Sequence, residues 1–261
     1  MLITWRRAGC ALAILAAAAG SAAQAQTVDE VVAKNLQARG GVEKLKALNT
    51  TKITGDVEQQ GAKIHIVTWA KRPHYLRREI EMTPPPPSPG RANVPPATGP
   101  VKAVVAFDGQ TVWTIDPRMG SGPQAITGPQ ADAVAKANPD FDSVLLDYKA
   151  KGHTVELVGT ETIAGKPAHH LKITRKNGPV QQYYLDVATG LEVRTSDVIE
   201  QGGVKTELTT DLSDYQTVDG FSMPFKMRQS VNGTAVADVT ISKWEVNVPM
   251  EDELFKMPAA K

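Results

Sequence analysis

The stretch TKITGDVEQQGAKIHIVTWAKRPHYLRREIEM, residues 51–82, decides the fold class. It divides at Gly61 and Pro73 into segments 51–60, 62–72 and 74–82. Each has the length and the alternating β-branched or aromatic content of a strand. Three strands joined by such short breaks are the start of an antiparallel sheet.

The next stretch, EMTPPPPSPGRANVPPATGP (residues 81–100), holds eight of the 18 prolines. Proline lacks an amide donor and fixes φ, so this stretch is neither a helix nor an interior strand. It is either a linker between two domains or a long loop inside one. Both flanks read as strands of one sheet, and neither could bury a face alone. A loop within a single domain is therefore expected, partly polyproline II, reaching at most about 50 Å at ~3.1 Å per residue.

Outward from there, residues 101–117 read as a hairpin turning at Asp108-Gly109. Thr127-Gly128-Pro129-Gln130 is a helix start, with proline in the first turn. The pattern runs to Pro139. Phe141, Val144, Leu145 and Tyr148 then recur at helical spacing, and Gly152 is a C-terminal stop. From His153 the chain alternates strands and turns, punctuated at Gly165, Asn177-Gly178, Gly190, Gly202-Gly203, Gly220 and Asn232-Gly233. Val239 and Ile241 share one parity, while Trp244, Val246 and Val248 take the other. A bulge near Ser242-Lys243 accounts for the change.

Before residue 51, Thr27 and Glu30 form a capping box, and Val28, Val32 and Leu36 make a helical stripe. Gly40-Gly41 ends that helix, and residues 42–48 give a second short turn. The expected architecture is mainly β: one large, strongly curved antiparallel sheet with a few helices against one face.

Residues 1–25 read as an export signal. Arg6 and Arg7 are its basic start, residues 10–20 its apolar core, and residues 23–25 its small-x-small cleavage site. The core is too short to span a bilayer, which takes roughly 20 residues. Cys10, the sole cysteine, is expected to leave with the signal, so the mature core must suffice without disulfides. Loss of Arg6 and Arg7 lowers the formal charge from +1 to −1. Near-neutrality argues against nucleic acid as a partner. No later segment is apolar enough to cross a membrane, so a soluble periplasmic protein of residues 26–261 is expected.

Phe221, Met223, Phe225 and Met227 point one way along their strand; Ser222, Lys226 and Arg228 point the other. Methionine is flexible and polarizable, which suits a loosely defined apolar partner such as an acyl chain. Periodicity alone favours plain core packing under the helices. None of the five histidines has a metal-ligand spacing, and neighbours His169 and His170 face opposite ways. No nucleophile elbow, phosphate loop or cysteine nucleophile is present. Neither an enzyme, a metal nor a cofactor is expected. Asp116, Asp140, Asp142 and Asp147 read as solvated or capping residues.

The order of several short motifs carries a resemblance. TWAKRPHYLRREI (68–80) is followed by AFDGQTVWTIDP (106–117), YYLDVATGLEVRTS (183–196), LSDYQTVDGFSMPFKM (212–227) and DELFKMP (252–258). This resembles the outer-membrane lipoprotein-sorting superfamily of the periplasmic carrier LolA and its receptor LolB. The resemblance spans nearly all of the chain after residue 25. It implies an unclosed β half-barrel of about eleven strands, with helices capping an apolar cavity for the acyl chains of lipoproteins or other lipids. It gives the Met/Phe wall of Phe221, Met223, Phe225 and Met227 a purpose. Arg72 matches the arginine that bonds the lid of the carrier, and Trp69 and Trp113 match aromatic positions of the wall or core.

The resemblance implies a non-catalytic carrier with possible inner- and outer-membrane protein partners. A lipid-responsive sensor or scaffold bound to a membrane protein is the second reading, and a secreted hydrolase the third. The chain is longer than a typical carrier, carries the loop at 83–100, and lacks the lipobox of the anchored receptor. The loop reads as a spacer first, then as a flap over the cavity mouth or a docking arm.

Overall fold

The computed structural model describes residues 26–82, 99–120, 122–128, 131, 141–176, 178, 180–201 and 204–259. The export signal, most of the proline-rich loop and, apart from Ala131, the helix expected from Gln130 to Pro139 lie outside the described residues. Thirteen strands form one antiparallel sheet. In chain order they are β1 (Thr50–Gln59), β2 (Ala62–Lys71), β3 (Tyr75–Met82), β4 (Val101–Phe107), β5 (Val112–Ile115), β6 (Gln124–Ile126) and β7 (Thr154–Ile163). They continue as β8 (Lys166–Thr174), β9 (Val180–Asp186), β10 (Glu192–Gln201), β11 (Val204–Val218), β12 (Phe221–Val231) and β13 (Thr234–Val246).

The spatial order is β6-β5-β4-β3-β2-β1-β13-β12-β11-β10-β9-β8-β7. Two meanders therefore meet where β1 pairs with β13, and β6 and β7 are never joined. The sheet is unclosed, with thirteen strands instead of about eleven. The short β6 falls before the point where a helix was expected to start. The proline-rich stretch joins direct neighbours, since Met82 of β3 pairs with Val101 of β4.

Among the described residues, helices α1 (Val28–Ala38) and α2 (Val42–Ala47) lie on one face, called the inner face below. Helix α1 begins with the capping box: the Glu30 amide donates to Thr27 Oγ1, and the Thr27 amide donates to the Glu30 carboxylate. Its buried stripe is Val31, Val32, Asn35 and Leu36. Helix α2 follows after Gly40-Gly41. The stretch 141–152 was expected to be helical and is instead a run of turns. Asp147 sits at φ 53°, which breaks the helical path. Its apolar residues are nevertheless buried: Val144, Leu145, Leu146 and Tyr148 pack with α1 on Val155, Leu171, Ile173 and Leu185 of β7–β9.

A second cluster joins Leu48, Phe221 and Met223, backed by Phe141, Phe225, Trp244 and Val246. The bulge falls where the parity change requires it. Thr54 pairs with Lys243 and Gly55 with Ile241, leaving Ser242 as the extra residue. Gly55 is needed there because a Cβ would lie 2.6 Å from the Thr240 carbonyl oxygen. The bulge lets Trp244 and Val246 share the inner face with Ile241 and Val239.

Candidate functional site

A cavity of about 280 Å³ lies between the helical layer and the sheet. That is close to the smallest sites that enclose small molecules, roughly 300 Å³. Leu48 and Phe141 roof it, while Ile53, Ala70, Leu76, Met223 and Trp244 form its floor and sides. These strand residues come from β1, β2, β3, β12 and β13, which adjoin across the middle of the sheet. Trp244 is held in place by its indole N–H, which donates to the Pro224 carbonyl at 3.1 Å.

The cavity continues onto the inner face of β1–β4. Register places Ile53 opposite Thr68, Ile66 opposite Ile80, Ala70 opposite Leu76, and Leu76 opposite Phe107. Ile53, Ile64, Ile66, Leu76, Ile80, Val105 and Phe107 are all only half-buried. Strands β2–β5 add no residue to either cluster under the helices. An apolar sheet face is thus left unpacked by the described residues, next to the cavity.

Arg78 stands in that face, between Leu76 and Ile80 on β3 and opposite Thr68 and Val105. Water reaches it. The surrounding atoms nevertheless desolvate it and lower its pKa from the ordinary arginine value. The two facts fit a trough, where solvent has access from one side and protein occupies the others.

Arg72 ends β2 and holds the roof. Its Nη1 and Nη2 donate to Asp142 Oδ2 and Oδ1 at 2.5 and 2.6 Å. Nε donates to the Leu48 carbonyl at 3.0 Å, and Nη2 also to the Leu45 carbonyl at 3.3 Å. The guanidinium lies 5.2 Å from the Phe141 ring centroid. One planar fork thereby ties β2, the carbonyl end of α2 and the 141–152 segment, as only arginine can. Asp142 is a paired residue, not the solvated or capping one the sequence suggests.

The other wall carries a buried pair. Arg39 donates to Glu192 at 3.1 Å, and the Tyr215 hydroxyl donates to the Glu192 carbonyl at 2.9 Å. Burial opposes the Arg39 charge most strongly, yet Glu192 and Tyr215 hold its pKa above the ordinary value. Burial, then Glu192, pushes the Tyr215 phenol well up. Arg39 therefore stays charged and Tyr215 neutral, and their bonds to Glu192 serve as a strut. Sequence periodicity did not point to them, because the partners are 153 residues apart.

Of the residues singled out in the sequence, Met223 lines the cavity and Phe221 is buried beside it. Phe225 packs against the same cluster. Met227 is half-buried farther along β12 on the inner side, opposite Leu212. Trp69 and Trp113 lie on the opposite face, so neither walls the cavity. Trp69 pairs with Lys52 and Arg77, whereas its neighbours Thr68 and Ala70 face inward. Trp113 is fully buried under the C-terminal segment, and its indole N–H donates to the Phe255 carbonyl at 2.7 Å.

His169 and His170 do face opposite ways. His170 meets Glu161 at 2.6 Å and Gln182 at 2.8 Å, stacked on Tyr184. His169 is buried, and among the described residues its Nε2 has no hydrogen-bond partner. Burial, and then Lys34, lowers its pKa. The unfolded chain therefore takes up this proton first as pH falls below ~6.5. His169→Leu is expected to lose less stability than wild type between pH 7.5 and 5.5 in urea unfolding; a larger loss would contradict the assignment. Among the described residues, no group of three or more His, Cys, Asp or Glu could hold a metal ion.

No protein-family model and no curated protein matches the chain. Solved structures do resemble it. A DUF1329 family protein from Desulfovibrio piger is 16% identical over 88% of this chain and 97% of that one, with TM-score 0.55. A domain named for outer membrane lipoprotein sorting, from Vibrio parahaemolyticus, is 11% identical over 87% and 94%, with TM-score 0.53. A LolA superfamily protein from Nitrosomonas europaea is 13% identical over 89% and 98%, with TM-score 0.50. At such identities the likeness is one of fold: the architecture is LolA-like.

Proposed function

We propose that this chain uses its LolA-like fold as a non-catalytic carrier of acyl chains, belonging to lipoproteins or other lipids, in the periplasm. The observation that carries the proposal is the apolar cavity under Leu48 and Phe141 running into the half-buried inner face of β1–β4. Such a face would be a liability in water, and an acyl chain gains about 0.8 kcal/mol for each CH₂ it buries there. Among the described residues, no helix is long and apolar enough to cross a membrane. Transfer between membranes would be the task of a chain that carries lipid without being embedded.

The unclosed edge between β6 and β7 supports side entry of the chain. Arg72 would act as the latch, since it bonds both the carbonyl end of α2 and the segment that holds Phe141. The export signal at residues 1–25 would direct the protein to its compartment. The reading is tested by native mass spectrometry of the protein purified from periplasm, with an organic extract analysed beside it. Bound lipid is expected. An empty protein that also fails to take up an acyl probe overturns it, and a protein partner found without lipid would favour a scaffold.

A further inference from the structure

Among the described residues, the one hydrogen bond of Arg78 runs from Nε to Thr68 Oγ1, at 3.2 Å. No carboxylate among the described residues pairs with it. Its neighbour Arg77 is different: it lies on the opposite face, donates to Glu79 at 2.8 and 3.0 Å and to the Leu254 carbonyl, and covers Trp113. Glu79 and Glu81 share that opposite face, because side chains alternate along β3. Among the described residues, the inner face of β2–β4 thus presents one cation, with both Nη groups unengaged, in a field of Ile66, Leu76, Ile80 and Val105.

Arg78 is exposed, so an anion can reach its guanidinium, and the apolar side chains around it favour a charge-assisted bond there. We infer that Arg78, with Thr68, receives the carboxylate of a single-chain fatty acid whose tail runs into the cavity. This rests on the carrier reading above and names its ligand. Three features favour this ligand over a diacyl phospholipid. The cavity of about 280 Å³ suits one chain. Arg78 lies within the apolar strip, where a carboxylate fits more easily than a phosphoglycerol group. Leu76 and Ala70, which wall the cavity, stand one inner-face step from Arg78 and Thr68, about 6.6 Å along their strands. The free Nη pair matches the two oxygens of a carboxylate, and the Thr68 hydroxyl can donate a further bond.

The test uses the delipidated full chain with two fluorescent probes, cis-parinaric acid and cis-parinaryl alcohol. The wild type is expected to bind the acid at least about tenfold more tightly, as a charge-assisted hydrogen bond allows. Arg78→Met should lose the preference and bind both probes about equally. Palmitate should displace the acid at lower concentration than dioleoylphosphatidylglycerol does. Equal binding of acid and alcohol by the wild type, which requires no variant, overturns the role of Arg78 while leaving the carrier intact. Stronger displacement by the phospholipid also overturns the fatty-acid assignment. If neither probe binds, both the carrier reading and this inference fail.

Discussion

Arg72→Leu is expected to loosen the roof of the cavity without unfolding the sheet. The substitution removes the two bonds to Asp142 and those to the Leu45 and Leu48 carbonyls. It also leaves the Asp142 carboxylate with the weaker pairing to Lys151, 4.0 Å away. Breaking a buried pair by removing one partner costs about 3–5 kcal/mol. The Arg72 and Asp142 side chains keep 28% and 18% of their exposure, so solvent screens part of the loss. A cost of roughly 2–3 kcal/mol follows, concentrated in the helical layer. Hydrogen exchange should quicken in α2 and in residues 141–152, and hardly at all in β8–β12. An acyl probe should leave the variant at least about tenfold faster, as a roof weakened by 2 kcal/mol allows.

The double variant Arg72→Leu/Asp142→Leu separates charge from packing. With the carboxylate that lost its bidentate partner removed, it should regain part of the lost stability while staying quick to release the probe. Release and exchange at wild-type rates in the single variant would remove Arg72 from the account of the latch.

Trp113→Ala should cost more, about 3–5 kcal/mol, and change binding less. Trp113 and Phe255 are both fully buried, and they hold the C-terminal segment on the outer side of β3–β5. Tyr75 stacks on Phe255 at 5.3 Å, and Arg77 reaches the Leu254 carbonyl. Removing the indole opens a large void and leaves the Phe255 carbonyl without its donor. Trp113→Phe should lose less, roughly 1–2 kcal/mol, since most of the ring volume stays. In both variants the preference for acid over alcohol probe should survive, read below the unfolding transition. A lost preference in Trp113→Phe would place the indole in the binding path.

The sheet was legible because strand patterns report themselves locally. Gly61, Gly165, Gly220 and Asn232-Gly233 mark turns, and the parity break near Trp244 revealed the bulge at Ser242. Alternation also separated Phe221 and Met223 from Lys226. Alternation, however, divides a strand into two faces without saying which one faces the helices. The resemblance offers Trp69 and Trp113 as wall or core residues; the position of the helices and of the irregular C-terminal segment puts both on the other side, with Trp113 buried there. The stretch 141–152 misled differently, since Phe141, Val144, Leu145 and Tyr148 keep helical spacing and are buried, while Asp147 breaks the path.

Arg78 was hidden by its neighbour. Arg77 and Arg78 together resemble an ordinary basic surface strand. The signal was there in the parity it shares with Leu76, Ile80 and Met82, and it gains meaning once β3 is known to leave that face unpacked. Asp142 and Glu192 could not be found by spacing, because each meets an arginine far away in sequence.

The pairing of β1 with β13 has a consequence for how the chain is made. Thr51 meets Val246, so the middle of the sheet joins strands from near the two ends of the described chain. During synthesis each meander can form by itself, but the seam between them waits for the last strand. Until then β1 and β12 each present a bare edge, the kind of surface that recruits other chains. Contacts of such long sequence separation also close slowly. The strand completed last is therefore the one that makes two half-sheets into one molecule.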